Sequence, residues 1–527
     1  MVETRTDVVI SGAGPTGLML ACELALGGVA PIVLEALSEP SAEPKANGLG
    51  GQVVRLMDMR SLYPGEQPQP IPFWVFSGMF VEFSTVPENP MYAWPIPQHD
   101  LTCLLAERAR ELGVEIRWSH ALTDFTQDDD GVAATVTAPT GLYRLNSRFL
   151  VGADGGKSLV RKRSGIAFPG VTSAEPIIRM GSVVIPDNLR TPDGRLQPPG
   201  FDPVEVEWNR LESGTIMVAE LQPGRTRVAT IEYGADPVAE DAPMAFDELR
   251  DSISRVVGAE LPVRPPTGPG PHGMRRIIGQ STRIAECYRT GGVLLVGDAA
   301  HVHSSMAGPG LNLGLQDAAN LGWKLAAHVQ GWAPHDLLDT YDSERRPVAE
   351  RVMMHTLAQS GLLAPGPEVT ALRQLFGELL RIPAAADHLA HLLAGADVRY
   401  DTCSDHPLAG RFVPDFTVET GGGTARIAEL LRSARPLLLD LTGSVGDAAL
   451  EWSDRLDTVI ATATDAPADT LLIRPDGYVA WAAAGSDRHG LRRALTGWFG
   501  RERAASRRSR VRREDSTPAL LDDGGQS

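Results

Sequence analysis

The hydrophobic pattern at the start of the chain predicts a strand, a turn, a helix and a second strand, all within VVISGAGPTGLMLACELALGGVAPIVLE from Val8 to Glu35. Three glycines separate the first strand from the body of the helix. In this spacing Gly12 permits a tight turn, Gly14 lets a pyrophosphate approach the backbone, and Gly17 lets the helix pack closely on the sheet. The pattern is typical of a dinucleotide-binding turn.

The residues around these glycines support the same interpretation. The helix opens at Pro15 and Thr16, where free amides and the helix dipole favour a phosphate. Glu35 ends the second strand, where its carboxylate can accept hydrogen bonds from ribose hydroxyls. Glycine-rich turns alone are frequent, but a strand, a helix and an acid in this order indicate a dinucleotide site.

Apolar runs along the rest of the chain predict further helices and strands. After Gln98 the leucines of DLTCLLAERARELG recur at helical spacing, and residues 115–150 alternate in the manner of an antiparallel meander. Short β-branched runs from about 175 to 275 predict a separate sheet. The run GGVLLVGDAAH and the long helix LNLGLQDAANLGWKLAAHVQG then return to the nucleotide-binding pattern, and further strands and a final helix follow residue 400.

We therefore expect an α/β fold in which a Rossmann-like nucleotide-binding domain is interrupted by a second domain. The two parts of the first domain are predicted at residues 1–174 and 276–395, around an antiparallel substrate-binding sheet at 175–275. A small α/β domain is expected at 396–500, and the basic, polar residues 501–527 are expected to form a disordered tail.

Composition limits the partners of this protein. The chain has 527 residues, of which 43% are hydrophobic, enough for several cores. Its formal charge of −17 opposes binding to nucleic acid or anionic membranes, and no apolar stretch approaches the ~20 residues of a membrane span. The four cysteines are far apart and form no CxxC pair. We expect reduced thiols, no bound metal, and a cytoplasmic monomer or homodimer.

Two later motifs indicate which dinucleotide is bound. In VGADGGKSLVRKRSG, Asp154 ends a strand and Arg161 follows on a helix. In GVLLVGDAAHVHSSMAGPGLNLGLQDA, Asp298 follows Gly297 at a strand end, where a carboxylate can hold the polyol that links a flavin to its pyrophosphate. Together with the first motif, these segments resemble the FAD-dependent aromatic hydroxylases of the para-hydroxybenzoate hydroxylase type, over about residues 5–355.

The resemblance implies cofactor contacts at the positions that match the family's motifs. Backbone amides of Leu311 and Asn312 would face the negatively charged edge of the reduced flavin, and Asp298 would bind the ribityl chain. Asp154 and Arg161 would contact both FAD and the reducing nicotinamide. Further cofactor-binding positions are implied at Lys45, Gln52, Gln98, Leu122, Gly297, Pro309 and Gly310.

The loop after Asp298 departs from the family's pattern. Relatives usually have two prolines and a glutamine there, whereas this chain has Ser304, Ser305 and Pro309 beside the expected flavin. The departure favours an unusual substrate or an altered reaction. We assign no catalytic side chain, because in this family the cofactor carries the chemistry.

Other residues with reactive or aromatic side chains have simpler interpretations. His301 and His303 lack the further Cys, His or acidic residues that complete a metal site. No GxSxG elbow surrounds a serine, which argues against hydrolase chemistry. Four aromatic residues that can line a pocket are more often core residues: Trp74, Trp94, Trp208 and Tyr233.

The resemblance implies a flavoprotein monooxygenase with FAD as cofactor, NADPH or NADH as transient reductant and O2 as co-substrate. A flavin hydroperoxide would transfer one oxygen atom to an electron-rich ring. The length and the domain order resemble members that act on polycyclic aromatic polyketides in bacterial antibiotic biosynthesis, and rifampicin-modifying members belong to the same group. We therefore expect a polycyclic aromatic substrate.

Three alternatives stay open. A Baeyer–Villiger or oxidative-rearranging enzyme would use the same cofactor to attack a ketone. A flavin-binding protein that sequesters a pathway intermediate without turnover belongs to another class. A plain NAD-dependent dehydrogenase would be free of flavin.

The region after residue 400 resembles the thioredoxin-like appendage of phenol hydroxylases and polyketide-tailoring relatives, and it contains the sequence RPDGYVAW. It lacks the redox pair CxxC. The missing pair favours a structural or dimerisation role over disulfide exchange.

Overall fold

The computed structural model describes most of the chain. It covers residues 4–193, 195–198, 203–204, 207–222, 225–234, 243–268, 272–304, 308–402 and 404–501. Ser305, Cys403 and all of the predicted tail except Arg501 lie outside these ranges.

The described chain contains helices and strands in nearly every region. The strands are β1 (Thr4–Ser11), β2 (Ile32–Glu35), β3 (Leu49–Gly50), β4 (Phe73–Phe76), β5 (Met79–Glu82), β6 (Ala93–Trp94), β7 (Glu115–Trp118), β8 (Ala121–Asp128), β9 (Gly131–Ala138), β10 (Gly141–Gly152), β11 (Gly170–Val183), β12 (Glu207–Leu211), β13 (Gly214–Gln222), β14 (Arg225–Glu232), β15 (Arg275–Ile284), β16 (Arg289–Thr290), β17 (Val293–Leu295), β18 (His301–Val302), β19 (Thr417–Thr420), β20 (Gly423–Arg426), β21 (Leu437–Asp440), β22 (Asp457–Thr462), β23 (Thr470–Ile473) and β24 (Val479–Ala483). The helices are α1 (Pro15–Leu26), α2 (Gln52–Asp58), α3 (Gln98–Glu111), α4 (Leu159–Arg163), α5 (Phe246–Val257), α6 (Pro309–Gln330), α7 (Thr340–Leu363), α8 (Pro367–Leu379), α9 (Pro383–Ala394), α10 (Ile427–Leu430) and α11 (Arg488–Phe499). Short 3-10 turns lie at Asp187–Leu189, Gly297–Ala299 and Gly446–Trp452.

A mainly parallel sheet carries the N-terminal glycine motif. Its strands lie in the order β16, β17, β10, β1, β2 and β7, and β16 alone in this row runs antiparallel to its neighbour. Val8, Val9 and Ile10 of β1 are fully buried, as expected for a central strand covered by helices on both faces. Because β1, β10 and β17 are parallel, their carboxyl ends meet at one edge of the sheet.

The predicted meander is confirmed by the strands that follow α3. β8, β9 and β10 pair antiparallel and turn at Gly131 and Gly141, whose φ angles are +136° and +114°. Glycine adopts such angles at little cost. The meander returns the chain to the centre of the parallel sheet, beside β1.

A six-stranded antiparallel sheet forms the second region, in the order β12, β13, β14, β11, β15 and β18. Helix α5 covers one face, where Leu249, Ile253 and Val256 pack among the valines of the sheet. The sheet extends beyond the predicted span of 175–275, because β11 begins at Gly170 and β15 ends at Ile284. β18 also joins it, although β18 follows the second nucleotide motif in sequence.

The C-terminal region forms a third sheet, with strands in the order β20, β19, β22, β21, β23 and β24. β21 and β22 are parallel, and the other pairs are antiparallel. Trp323 of α6 packs in one core with Trp452, Trp481 and Phe499 of this region. The C-terminal domain is therefore docked on α6 through a shared core, and the mixed α/β fold predicted from the sequence is confirmed.

Two further observations concern membranes and thiols. Within the described ranges, no helix combines the length and the apolar character that a membrane span requires. Cys22, Cys103 and Cys287 are free thiols, and burial raises the pKa of the Cys22 thiol to about 12. The monomeric or dimeric state of the protein stays a prediction.

Candidate cofactor site

The N-terminal glycine turn packs directly against the end of β10. A Cβ atom at Gly12, whose φ is +111°, would lie 2.4 Å from the carbonyl oxygen of Ala153. A Cβ atom at Gly17 would lie 2.0 Å from the carbonyl oxygen of Gly12. Both positions therefore require glycine, for the tight turn and the close helix packing that the sequence predicts.

Gly14 differs from its two neighbours because it faces open space. No heavy atom lies within 4 Å of the position a Cβ would take there. Gly14 is also the N-cap of α1, and it provides no side chain to occupy the free amides at the start of this helix. The opening and the amides together fit a pyrophosphate at the helix N-terminus.

Glu35 lies beside this opening, at the carboxyl end of β2. Its Oε2 accepts a hydrogen bond of 2.7 Å from the amide of Ala13, and its Oε1 accepts one of 2.9 Å from the amide of Leu37. The carboxylate is thereby fixed at the mouth of the glycine turn. A ribose next to the pyrophosphate would lie within its reach.

Asp154 and Arg161 belong to the second motif, which follows β10. Asp154 Oδ2 accepts hydrogen bonds from the amides of Leu159 and Val160, at 2.7 and 3.1 Å, whereas Oδ1 is buried and has no partner within the described residues. Since buried polar atoms are rarely left unpaired, Oδ1 marks a place for a ligand group.

Arg161 is buried and connects the second motif to the third. Its guanidinium donates to the carbonyls of Ala299 and Gly156, at 2.7 and 2.9 Å, and lies 3.7 Å from the centre of the Phe168 ring. These contacts place Arg161 behind the 297–299 turn as a support. A direct contact with the cofactor stays a prediction.

The third motif places Asp298 next to the glycine turn. A Cβ at Gly297, whose φ is +61°, would lie 3.0 Å from Thr16 Cγ2, and one at Gly314 would lie 2.5 Å from Thr16 Oγ1. Thr16 therefore sits in a notch between the 297–299 turn and α6. Asp298 itself is exposed, so its carboxylate is available to a polyol.

The N-terminus of α6 completes this side of the site. Gly308 caps the helix with a φ of +62°, no side chain caps it, and Pro309 occupies its first turn. Asn312 Oδ1 accepts a hydrogen bond of 3.3 Å from the amide of Gly50, and Leu311 is half-buried. A Cβ at Gly310 would lie 3.9 Å from Asp298 Oδ1, so the helix start and the carboxylate border the same space.

Lys45 and Gln98 belong to two segments that are hydrogen-bonded to each other, and their contacts with the cofactor stay predictions. The backbone amide of Gln98 donates to the carbonyl of Ala46 at 2.9 Å. The side-chain oxygen Oε1 of Gln98 accepts from the backbone amide of Ala46 at 3.4 Å. The start of α3 thus holds the loop that carries Lys45, which is exposed.

Gln52 and Leu122, both predicted to contact the cofactor, have protein contacts that the sequence did not predict. Gln52 is buried, accepts a 3.2 Å hydrogen bond from Arg55, and lines a cavity of about 10 Å³ with Phe412 and Tyr478 of the C-terminal part. Leu122 packs on the core of the parallel sheet from β8. Their cofactor contacts stay predictions, and the contacts of Gln52 lead towards the C-terminal domain.

A polar cluster lies beside the described end of the 303–304 loop. His303 Nδ1 donates to the carbonyl of Ser304 at 2.8 Å, and the Ser304 hydroxyl accepts from Ser360 Oγ at 3.0 Å. Burial lowers the pKa of His303, and burial together with the nearby His303 lowers the pKa of His355 to about 4. Both imidazoles are therefore neutral at pH 7.

Sequence reasoning missed His355 and Ser360, which α7 brings to this loop. His355 and Gln359 are four residues apart and lie on one face of that helix, whereas Ser360 lies beside that face. No motif in the sequence indicates that this part of α7 meets the loop.

His301 belongs to a buried cluster of charged and polar side chains. Its Nε2 lies 2.6 Å from Asp317 Oδ2, and Asp317 Oδ1 accepts a 2.7 Å hydrogen bond from Arg345 Nε. All three side chains are fully buried.

Two of the four aromatic candidates lie on the face of the second sheet that α5 does not cover. Trp208 and Tyr233 pack with Met180, Ile277 and Leu363 on the side opposite α5. Trp94 packs edge-on against Tyr63 in the core of the first domain, and Trp74 lies 3.8 Å from the Cβ position of Gly50.

The residues present fit FAD. The opening at Gly14 and the N-terminus of α1, the buried Oδ1 of Asp154 and the exposed carboxylate of Asp298 all follow neighbouring parallel strands at one edge of the sheet. The N-terminus of α6, which no side chain caps, borders Asp298. The N-terminus of α1 at Gly14 suits a diphosphate, the carboxylate of Asp298 suits a polyol, and the N-terminus of α6 suits an anionic ring edge.

Comparison with known proteins gives the same result. A family model described as "FAD binding domain" matches residues 5–356, and one described as "Aromatic-ring hydroxylase, C-terminal" matches residues 406–502. A 12-dehydrotetracycline 5-monooxygenase/anhydrotetracycline 6-monooxygenase of Streptomyces rimosus is 42% identical over 516 residues, covering 94% of this chain and 99% of that protein. A rifampicin monooxygenase of Streptomyces venezuelae is 37% identical over 512 residues, covering 94% and 98%. The solved structure of the OxyS anhydrotetracycline hydroxylase from Streptomyces rimosus superposes with a TM-score of 0.84 at 39% identity, covering 95% of this chain and 100% of that one.

Proposed function

The chain belongs to the FAD-dependent aromatic hydroxylases, and from this membership we propose that it hydroxylates a polycyclic aromatic substrate of the polyketide type. As a member it is an oxidoreductase that uses FAD, a reduced nicotinamide and O2. The related enzymes that act on anhydrotetracycline and rifampicin support the choice of substrate class.

The observation that carries this proposal is the meeting of three sequence motifs around one opening. The chemistry that FAD supplies when bound there is the acceptance of a hydride from the nicotinamide and the activation of O2. The protein's task is to bind and orient the reactants and to exclude water.

Each part of the site has a distinct role in this proposal. The amides at Gly14 and the start of α1 hold the pyrophosphate, and Glu35 holds the adjoining ribose. Asp298 holds the ribityl chain. The amides and the dipole at the N-terminus of α6 stabilise negative charge on the pyrimidine edge of the ring, which favours the reduced form.

The face of the second sheet opposite α5 is the proposed substrate surface. Met180, Trp208, Tyr233 and Ile277 give it an apolar and aromatic character that suits a flat, multi-ring molecule. Helix α7 connects this surface to the 303–304 loop, because Leu363 packs on the surface and Ser360, three residues earlier, donates a hydrogen bond to Ser304. His303 donates its Nδ1 hydrogen to Ser304, and burial lowers its pKa, so its Nε2 is a weak base. We therefore propose that ionisation of a phenolic substrate is favoured mainly by its electrostatic surroundings.

The test is to load the purified protein with FAD and to follow reduced nicotinamide, with anhydrotetracycline and other polycyclic phenols as probes. We expect faster nicotinamide oxidation with substrate and a phenolic product that contains one atom from labelled O2. An ester or lactone with the labelled atom beside the former carbonyl carbon would identify Baeyer–Villiger chemistry instead. A flavin-loaded protein that binds a phenol without faster nicotinamide oxidation would be a sequestering protein.

The Baeyer–Villiger alternative has one specific observation in its favour. Ser304 lies in the loop where relatives usually have two prolines and a glutamine, and its hydroxyl accepts a hydrogen bond from Ser360. This polar loop surface differs from the one expected for a ring hydroxylase. The product analysis above decides between the two reactions.

A further inference from the structure

A turn of the C-terminal domain, residues 474–478 with the sequence RPDGY, inserts charged side chains between α6 and α7. Arg474 donates to both carboxylate oxygens of Glu344 on α7, at 2.6 and 2.8 Å. Asp476 accepts a hydrogen bond of 3.2 Å from Asn320 on α6. The side chains of Arg474 and Asp476 are 1% and 2% exposed, so the contact is closed to water.

The same turn reaches the cofactor site through a second series of contacts. The ring of Tyr478 packs on the ring of Tyr400, with centres 4.2 Å apart. The Tyr400 hydroxyl accepts a hydrogen bond of 2.8 Å from Arg345, which also donates to Asp317. Asp317 is in turn bonded to His301 at 2.6 Å. A continuous buried path therefore joins Tyr478 to His301.

Both groups at the end of this path frame the cofactor site. His301 follows Asp298 by three residues and lies in β18. Asp317 follows Asn312 by five residues on α6, and Arg345 lies 3.4 Å from the carbonyl oxygen of Leu313 in the first turns of that helix. The path thus fixes the 297–302 segment and the start of α6 relative to each other.

The energetics favour a geometric role for this network. Its charges balance, with cations at Lys324, Arg345 and Arg474 and carboxylates at Asp317, Glu344 and Asp476. Burying such a set costs desolvation energy that an apolar core would not, so balanced charge alone is a weak source of stability. Directional hydrogen bonds, however, restrict the helices to one arrangement.

We propose that the 474–478 turn, acting through Tyr400 and Arg345, positions His301 and the N-terminus of α6 for FAD binding. The C-terminal domain thereby contributes to cofactor affinity without touching the cofactor. This inference rests on the FAD site proposed above. Tyr400 and Arg345 are positioning residues, because they act through Asp317 and His301.

The test compares Tyr400→Phe with a control variant by titrating FAD into apo-protein and following flavin fluorescence. Tyr400→Phe removes the hydroxyl that Arg345 binds and keeps the ring that packs on Tyr478. We expect the Kd for FAD to rise about fivefold to tenfold, with an altered visible spectrum of the bound flavin. Arg345→Lys keeps the charge but cannot bridge Asp317 and Tyr400, and a similar or larger rise is expected.

Leu439→Ala is the control, since Leu439 is fully buried in the C-terminal sheet and outside the network. It is expected to lower the unfolding midpoint while the Kd for FAD stays within about twofold of the parent value. The proposal is overturned if Tyr400→Phe binds FAD as the parent does, or if Leu439→Ala weakens FAD binding equally. Failure of the parent protein to bind FAD would instead overturn the proposed function.

Discussion

Two polar regions along α6 contain the same kinds of groups but differ in whether protein groups pair with them. At the N-terminus of the helix, Asp298 is exposed, the space beside Gly14 is open, and Asp154 Oδ1 has no partner in the part of the chain that the structure describes. Further along, Glu344 accepts hydrogen bonds from Arg474, Lys324 and Asn320 within a closed interface.

The difference shows that pairing and space, rather than residue type, separate a binding site from a structural cluster. Carboxylates in both regions lie near cations or backbone amides. In the interface Glu344 and Asp476 accept hydrogen bonds from Arg474 and Asn320, whereas at the cofactor site Asp298 is exposed and the position beside Gly14 is open. Perturbing the paired carboxylates of the closed interface should therefore mainly change stability, and perturbing the open positions of the cofactor site should mainly change ligand affinity.

The largest effect is expected from Glu344→Gln in the closed interface. Burial raises the pKa of Glu344, but the neighbouring Arg474 and Lys324 lower it further, to about 2. Glu344 is therefore charged at pH 7. Glutamine at this position removes that charge and leaves Arg474 and Lys324 buried with Asp476 as the remaining carboxylate of the contact. We expect the free energy of unfolding to fall by about 3–5 kcal/mol, measured by denaturant titration at pH 7. A loss below about 1 kcal/mol would contradict the view of a tightly coupled cluster.

The next effect concerns pH and the imidazole of His355, which borders the cofactor loop. Its pKa is about 4 in the folded protein, against 6.5 for an ordinary histidine. Between these values the unfolded chain binds a proton that the folded protein does not, so stability falls as the pH falls from 6.5 to 4. The shift corresponds to roughly 3 kcal/mol at pH 4.

His355→Gln should make the unfolding free energy less sensitive to pH within this window. Thermal or urea unfolding at pH 6.5, 5.5 and 4.5 measures the slope for variant and parent. His335→Gln is the matched control, because the side chain of His335 is 96% exposed. An equal slope in the parent and in His355→Gln would refute the role of His355 burial.

A smaller change in free energy, confined to ligand binding, is expected for Gly14→Ala. Gly14 has φ −71° and no atom within 4 Å of its Cβ position, so alanine fits the apo-protein. The new methyl group would occupy the space of the pyrophosphate. We expect FAD binding to weaken about 10- to 100-fold, or ~1.4–2.8 kcal/mol, with unfolding of the apo-protein changed by less than about 1 kcal/mol.

Gly12→Ala sharpens this result, because its Cβ would lie 2.4 Å from Ala153 at a φ of +111°. That variant should lose stability as well as FAD affinity. If Gly14→Ala and Gly12→Ala destabilise the apo-protein equally, the space at Gly14 is not a ligand site.

The smallest effect is expected for Asp447→Asn, which removes a carboxylate charge as Glu344→Gln does. Asp447 pairs with Arg488 at 2.8 Å on the surface of the C-terminal domain, and the two side chains are 61% and 54% exposed. Exposed pairs contribute about 0–1 kcal/mol. A denaturation midpoint indistinguishable from that of the parent is the expected result, and a loss comparable to that of Glu344→Gln would remove the contrast between exposed and buried carboxylates.

The parts of the site that could be predicted from the sequence are those with local causes. The roles of Gly12 and Gly17 follow from spacing within a single turn, and the structure gives both the close contacts they imply. The meander at Gly131 and Gly141 was predictable for the same reason.

The sequence was less informative where side-chain direction depends on distant contacts. Arg161 is in the predicted motif, yet Ala299 and Phe168 determine where its guanidinium points. The start of β11 at Gly170 was missed because GVTSAE, its first six residues, is polar and mostly exposed. The network from Tyr478 to His301 joins residues from separate elements, so no spacing in the sequence indicates it.

The two-residue strand β18 has a consequence for the interplay of the two ligands. Its pairing with β15 attaches the proposed substrate sheet to the segment that carries Asp298, with only two residues between that carboxylate and the strand. A displacement of the sheet edge is therefore transmitted to the cofactor turn through the backbone. Thermodynamic reciprocity then applies: the factor by which an aromatic ligand alters the affinity for the flavin equals the factor by which the flavin alters the affinity for that ligand.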